Sequence, residues 1–383
     1  MAWMKPLFQV ENTMLDSLLS WIGSRGNTRG KSLSISVFDG ALKPNNLLEE
    51  ADTLVENAGF SDLVVGAENR LLAACGTAVV EISTAGDLID VAQFGEAVTA
   101  LTELADGRLA VGLGDKVVIG AGTGTETTVD TVADRKLTAV TALYAAPDGR
   151  LLVCDGSRSY GCEDWAWDLM GKKRDGRLIA IDPKGGDAQV LASGLGYAFG
   201  AFASDETGVL VSETWNHRVS QMSDKGVRPA IDRLPGYPSR FAPAPNGGFW
   251  LSLFCSRTQL VEFVLKEDDY RSEMMETIDP RYWISPSFGS GKDYLEPLQG
   301  GGVKQMGILK PWAPPRSYGL LVRFDANLAP QYSLHSRVGG KNHGICAVAQ
   351  VGDTLYALAK GSGRILKISI PKTRATLFGE DAA

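Results

Sequence analysis

Two rounds of one pattern occupy Leu195–Cys255, and this repetition constrains the fold more than any other feature of the chain. Each round runs from small residues through a turn, Ser204-Asp205-Glu206-Thr207-Gly208 and then Pro245-Asn246-Gly247-Gly248, into a strand rich in Val, Leu, Phe and Trp. The first strand is followed by the polar turn Glu213-Thr214-Trp215-Asn216-His217-Arg218 and another strand. A unit of this kind cannot bury both faces alone, so it must stack against copies of itself. The pattern predicts propeller blades.

Counting turns predicts how many. The same turn-plus-strand unit recurs at Ala67–Arg70 before LLAAC, Ala105–Arg108 before LAVGL, Pro147–Arg150 before LLVCD and Val351–Thr354 before LYALA. With the two above, six turns imply six blades. The first three are about forty residues apart, the length of a four-stranded blade. Two later intervals are stretched by Ser157–Asp175 and Lys266–Ser317, and insertions in repeat folds collect on one face, often over the binding site. Both are expected to cap the same mouth of the channel.

The expected fold is therefore all-β, a six-bladed β-propeller over residues 31–383 with capping insertions at about 157–175 and 266–317, preceded by a short N-terminal helical extension over 1–30. Leu33, Ile35 and Val37 alternate in a strand over Ser32–Phe38 that could close the ring by completing the last blade, removing free sheet edges.

Composition narrows the partners. The net charge is −7 and the longest basic run is Lys172-Lys173-Arg174, which excludes a nucleic-acid surface. Five separated cysteines, none in CxxC spacing, argue against a disulfide framework and for a reducing compartment, so a cytoplasmic location is expected. Met14–Gly23 is too short and too interrupted for a transmembrane span. It reads as an amphipathic helix packed on the body or as a peripheral membrane foot. The sequence leaves the oligomeric state open.

Leu137–Phe254, with GRLIAIDPKGGDAQVLASGLGYAFGAFASDETGVLVSETWNHRV followed by LPGYPSRFAPAPNGGFWLSL, resembles the strictosidine synthase-like proteins, with a weaker likeness over Gly319–Ile370. These sit among six-bladed propellers that include paraoxonases and gluconolactonase-type hydrolases. The resemblance implies a central divalent cation, usually calcium, held by Glu, Asn and Asp side chains at the start of the inner strands. In this sequence the Glu position falls on Ser61, one Asn position on Phe199, another near Ala142-Leu143-Tyr144, and the Asp-Asn pair on Ser239-Arg240. No metal or other cofactor is therefore expected. The glutamate that the resemblance implies for Pictet–Spengler condensation falls near Cys346, and no acid stands between Asp325 and Asp353, so that reaction is not expected either.

The candidate chemistry follows. His343, in the glycine-rich Gly339–Gly344, could be a general base or a hydrogen-bonded loop residue. Arg240 with Ser239 could clamp a carboxylate or an oxyanion, or Arg240 could pair with a blade acid. Cys346 could be a nucleophile or a small core residue. Ser61, Tyr197, Phe199 and Cys346 are expected to line the substrate pocket, with Trp165 and Trp283 in the insertions as an apolar lid, or as simple packing of those loops. Glu213 and Asp155 read as carboxylates that cap blade turns. The expected function is a small-molecule enzyme, a hydrolase of an ester or lactone acting without the family calcium. The alternatives are a non-catalytic propeller binding a ligand or partner, and a sugar-acid lyase or isomerase.

Overall fold

In a computed structural model of the protein, Ser36 and residues 38–289, 300–305, 308–312, 317–337 and 340–379 are described. All lie in the unit Ile35–Ala383. Among them, six four-stranded antiparallel sheets follow one another along the chain as the blades of a propeller. The innermost strands are Phe60–Val65, Ala100–Glu103, Val140–Ala145, Ala198–Ser204, Gly236–Pro243 and Ile345–Val351, in blades 1 to 6.

The hydrophobic pattern explains this stacking. Middle strands such as Leu71–Cys75, Leu109–Gly112 and Leu151–Asp155 are almost continuously apolar because both faces of a blade pack on neighbouring blades. Val117 and Ile119 of blade 2 thus share one cluster with Val140, Val153 and Ile179 of blade 3. Burying each such side chain is worth about 1.5–3 kcal/mol. Outermost strands lose this pattern: Leu88–Gln93 leaves Ile89 53% exposed.

Each of the six turns read from the sequence joins the first and second strands of a blade. The connections from second to third strands consequently open at the other end of the channel. Both insertions leave from there, residues 156–175 in blade 3 and residues 257–316 in blade 5, so they rise over one mouth. The second begins earlier than expected, since it includes the helix Gln259–Val264.

The ring closes differently from the sequence expectation. Asp52–Glu56, not Leu33–Val37, pairs with Arg364–Ser369 as the outer strand of blade 6. Ser36 and Phe38 are not in a strand, and the rest of Ser32–Phe38, like the expected helix over 1–30, lies outside the described residues. The reason is spatial. Each blade hands over to the next from its outer strand to the next inner strand, and only Asp52–Glu56 stands directly before Phe60. Residues ahead of it are pinned to blade 5 and blade 6: Asn45 Nδ2 donates to Ser333 O at 2.8 Å, and Asn342 Nδ2 donates to the carbonyl of the buried Leu48 at 2.8 Å.

Candidate functional site

The inner strands share an irregularity that builds the site. In blades 1, 3, 4 and 6 the register slips around Ser61, Thr141, Phe199 and Cys346, and in blade 5 it slips across Ser239-Arg240. Such bulges leave a residue without a ladder partner and re-aim its side chain and carbonyl. Thr99 immediately precedes the inner strand of blade 2.

The hydroxyls at these positions tie blade to blade. Ser61 Oγ donates to Val98 O at 2.6 Å, Thr99 Oγ1 to Val140 O at 2.7 Å and Thr141 Oγ1 to Ala198 O at 2.6 Å. Their own carbonyls face the channel, where one side chain collects all three. Arg240 reaches across from blade 5, and its guanidinium donates through Nη1 to Ser61 O at 3.2 Å and through Nη2 to Thr99 O at 2.9 Å and to Thr141 O. Its Nε lies 3.2 Å from Asp62 Oδ1. The inner strands of blades 4 and 5 approach closely here, since a Cβ on Gly200 would meet Ser239 O at 2.4 Å.

Asp62 is 1% exposed and accepts from the Leu63 amide at 2.8 Å and the Leu101 amide at 3.0 Å. Burial pushes its carboxyl above the usual carboxylate range, against the pull of Arg240 and the two amides. The Arg240–Asp62 pair lies between two chambers. The one on the insertion side has a volume of about 310 Å³, the one on the hairpin-turn side about 400 Å³, and Arg240 lines both.

These residues do not fit a divalent cation at the channel axis. Three channel-facing carbonyls and a carboxylate are oxygen donors that a hard cation accepts, but a guanidinium already sits against all four. Among the described residues no group of three or more His, Cys, Asp or Glu could hold a metal ion.

The insertion-side chamber is walled by aromatic rings: Trp165, Tyr197, Phe199, Trp215, Phe254 and Phe288. Tyr197 holds φ +62°, between blades 3 and 4, which sets its ring 4.6 Å from Trp215 and 5.7 Å from Phe199. Two charged groups besides Arg240 stand on the wall, Lys360 and Glu163. Lys360 follows the second strand of blade 6, its ammonium 5.6 Å from the Phe288 ring centre, a cation–π distance. Cys162 also lines the chamber; burial pushes its thiol up to about 12, so it is no thiolate near neutrality.

The residues named from sequence separate here into two groups. Ser61, Tyr197, Phe199, Trp165 and Arg240 line the chamber. The others do not. Ser239 is fully buried and bonds Ser252 Oγ at 2.9 Å within blade 5. Cys346 is fully buried among core residues. His343 is 3% exposed with its ring packed behind the chamber wall against Gly361, where a Cβ would lie 2.4 Å from Nδ1. Trp283 is 1% exposed, donates to Ile278 O at 2.8 Å and stands edge-on to Trp167 at 4.5 Å, joining the two insertions. Glu213 caps its blade, accepting from the Gly196 amide, Asn216 and Arg218. Asp155 is held by Arg177 at 2.6 Å and by the Ala139 amide at 2.9 Å. Lys360, Glu163, Cys162 and Thr99 were missed. All but Thr99 sit in or just after a connection between second and third strands, and that shared position was the available signal.

The roof is fastened at a few polar points. Lys172 of one insertion meets Asp268 of the other at 2.6 Å. Under the helix Gln259–Val264, Glu262 lies 3.2 Å from His217 Nε2 and 3.0 Å from Arg257 Nε, while His217 Nδ1 lies 3.0 Å from Gly236 O. Burial works to raise the Glu262 carboxyl, but His217 and Arg257 overcome it and hold it at about 2. Its folded value lies below its ordinary 4.5, so the stability it gives is complete above that pH and is lost as the pH falls through about 2. Hydrogen exchange between pH 5 and 2 is expected to show this helix loosening before the ring, with the pH step absent in Glu262→Gln.

Comparison with known proteins agrees with this architecture. A sequence model described as strictosidine synthase matches residues 142–226. Strictosidine synthase-like protein 6 of Arabidopsis thaliana is 28% identical over 158 residues, 40% of this chain and 42% of that protein. Over these stretches the chain is similar to strictosidine synthase and its relatives. The adipocyte plasma membrane-associated protein of Salmo salar is 31% identical over 133 residues, 33% of this propeller and 32% of that protein. The match thus spans about a third to two-fifths of the length of these two relatives. The bovine adipocyte plasma membrane-associated protein is 28% identical over 310 residues, 68% of this chain and 73% of its own. Among solved structures, a gluconolactonase from Xanthomonas campestris superposes with a TM-score of 0.52 at 15% identity, covering 83% of this chain and 88% of that one, a likeness of fold. No helix among the described residues is long and apolar enough to cross a membrane.

Proposed function

We propose that this strictosidine synthase-like propeller is a hydrolase of small apolar esters or lactones, acting in the insertion-side chamber without a metal ion. The observation that carries the reading is an aromatic chamber of about 310 Å³ holding one ammonium, Lys360, and one carboxylate, Glu163, on its wall. That volume is at the small end of ligand pockets, and the aromatic wall favours an apolar acyl group. Lys360 opposes the charge that develops on the carbonyl oxygen. Glu163 takes a proton from water as that water attacks the acyl carbon; the acyl–oxygen bond then breaks and the departing alkoxide takes the proton up. Gluconolactonase relatives of the fold are consistent with such a reaction but do not carry it.

The role first expected of His343 passes to Glu163, because His343 stands behind the wall. The anion-holding role expected of Arg240 and Ser239 passes to Lys360, because both side chains are engaged in holding the blades. A sugar acid fits the apolar wall poorly, which disfavours a lyase or isomerase. One observation favours the second reading, a ligand-binding propeller without turnover: the chamber's hydroxyls at Ser61, Thr99 and Thr141 are committed to neighbouring blades, so none is poised as a nucleophile. A panel of aryl and alkyl esters and lactones separates the two. Turnover that falls on the order of 100-fold in Glu163→Gln supports hydrolysis. Ligand quenching of tryptophan fluorescence with no turnover on any ester or lactone supports binding alone.

A further inference from the structure

We propose that Arg240 is the resident cation of the propeller axis, and that taking its side chain away uncovers a site for one divalent hard cation. Three carbonyl oxygens, of Ser61, Thr99 and Thr141, converge from three blades, and the Asp62 carboxylate stands beside them. Carbonyls and carboxylates are the donors that calcium takes, with water filling the remaining positions of a shell of roughly six to eight. Among the described residues the guanidinium is the only cation that meets them: it donates to all three carbonyls, and its Nε stands 3.2 Å from Asp62 Oδ1 as an ion pair.

The inner strand of a blade is paired on one side only, so carbonyls on its open edge face the axis, and the bulges at Ser61 and Thr141 re-aim theirs. With Thr99 just ahead of the inner strand of blade 2, the three blades present a cage, and blade 5 supplies its occupant covalently. A ring holds the guanidinium as well, its central carbon 5.1 Å from the Phe199 ring centre. Arg240 and Asp62 face each other as an ion pair, and without the guanidinium the Asp62 carboxyl is, among the described residues, the one acidic group beside the three carbonyls. An incoming divalent ion would therefore meet an oxygen-lined cavity with a carboxyl to bind at the place where the guanidinium was.

The test compares Arg240→Ala, which empties the cage, with Arg240→Met, which fills it with an uncharged side chain. Calcium chloride is titrated into each and into the wild type, followed by calorimetry and by thermal unfolding. The expected result is binding of about one ion to Arg240→Ala, with its Tm raised by roughly 3–6 °C at saturating calcium, and no response in the other two. Saturable binding of about one calcium per wild-type chain, or a folded Arg240→Ala that ignores calcium, would overturn the proposal. Should Arg240→Ala fold only with calcium present, the proposal stands. Should it fold in neither buffer, Asp62→Asn/Arg240→Met decides: removing the uncompensated charge must make it more stable than Arg240→Met, and equal or lower stability overturns the proposal.

Discussion

Asp62→Ala is expected to cost about 3–5 kcal/mol of folding stability, the loss typical when one member of a buried ion pair is removed and the other is left uncompensated. Arg240 would keep its carbonyl partners but lose its counter-charge at a site only 8% exposed. The amides of Leu63 and Leu101 would lose their acceptor at the same time. The damage would extend over several blades, because Asp62 begins in blade 1, takes a bond from blade 2 and faces a side chain from blade 5. Urea unfolding measures it directly. Asp62→Asn, which keeps an acceptor but not the charge, should fall between Asp62→Ala and wild type. A loss below about 1 kcal/mol for Asp62→Ala would mean that the pair is surface-like in its energetics, contrary to its burial.

Lys360→Ala carries the second large effect. If Lys360 faces the charge that develops on a substrate oxygen, its removal should lower kcat/KM for the best ester or lactone on the order of 100-fold to 1,000-fold, mainly through kcat. Lys360→Arg keeps a cation over Phe288 and should recover much of this. The effect on stability should be small, since among the described residues the Lys360 ammonium forms no ion pair and its ring partner is at the chamber wall. Equal kcat in Lys360→Ala and wild type would remove Lys360 from the chemistry and leave it a rim charge.

The two expectations differ in how far they could be read from the sequence. Six turns located six first-to-second-strand hairpins because turn chemistry is local: Asp, Asn and Gly at fixed offsets before an apolar run need no tertiary context. The closing strand was misplaced because Asp52–Glu56 is an outer strand paired on one side, with exposed residues at both ends and no apolar alternation, whereas Leu33–Val37 alternates well and is not the strand that closes the ring. Within the site, aligning Arg240 with a metal-ligand position placed it in the channel. Its partners could not be found that way, since they are backbone carbonyls of Ser61, Thr99 and Thr141, and a carbonyl has no residue signature. Asp62 was passed over for its neighbour Ser61 because the bulge, which decides which of the two faces the chamber, leaves no mark in the sequence.

His343 illustrates the opposite error. A histidine after glycines suggested an exposed base, but the ring is 3% exposed and Gly361 closes on it from the next turn. Lys360 stands beside that turn, without a motif, and reaches the wall that His343 does not. In a propeller the position of a residue along its blade says more about access to the channel than its chemical type does. Residues at second-to-third-strand connections are therefore the ones to examine first in sequences of this kind.

On this reading a side chain, not a metal ion, supplies the positive charge at the axis of this propeller. Elemental mass spectrometry of wild-type protein purified without chelators is the decisive experiment. No divalent metal is expected at a stoichiometric level, with Arg240 against the carbonyls of blades 1 to 3. About one calcium per chain would contradict it, because the cage cannot hold that ion and the guanidinium together.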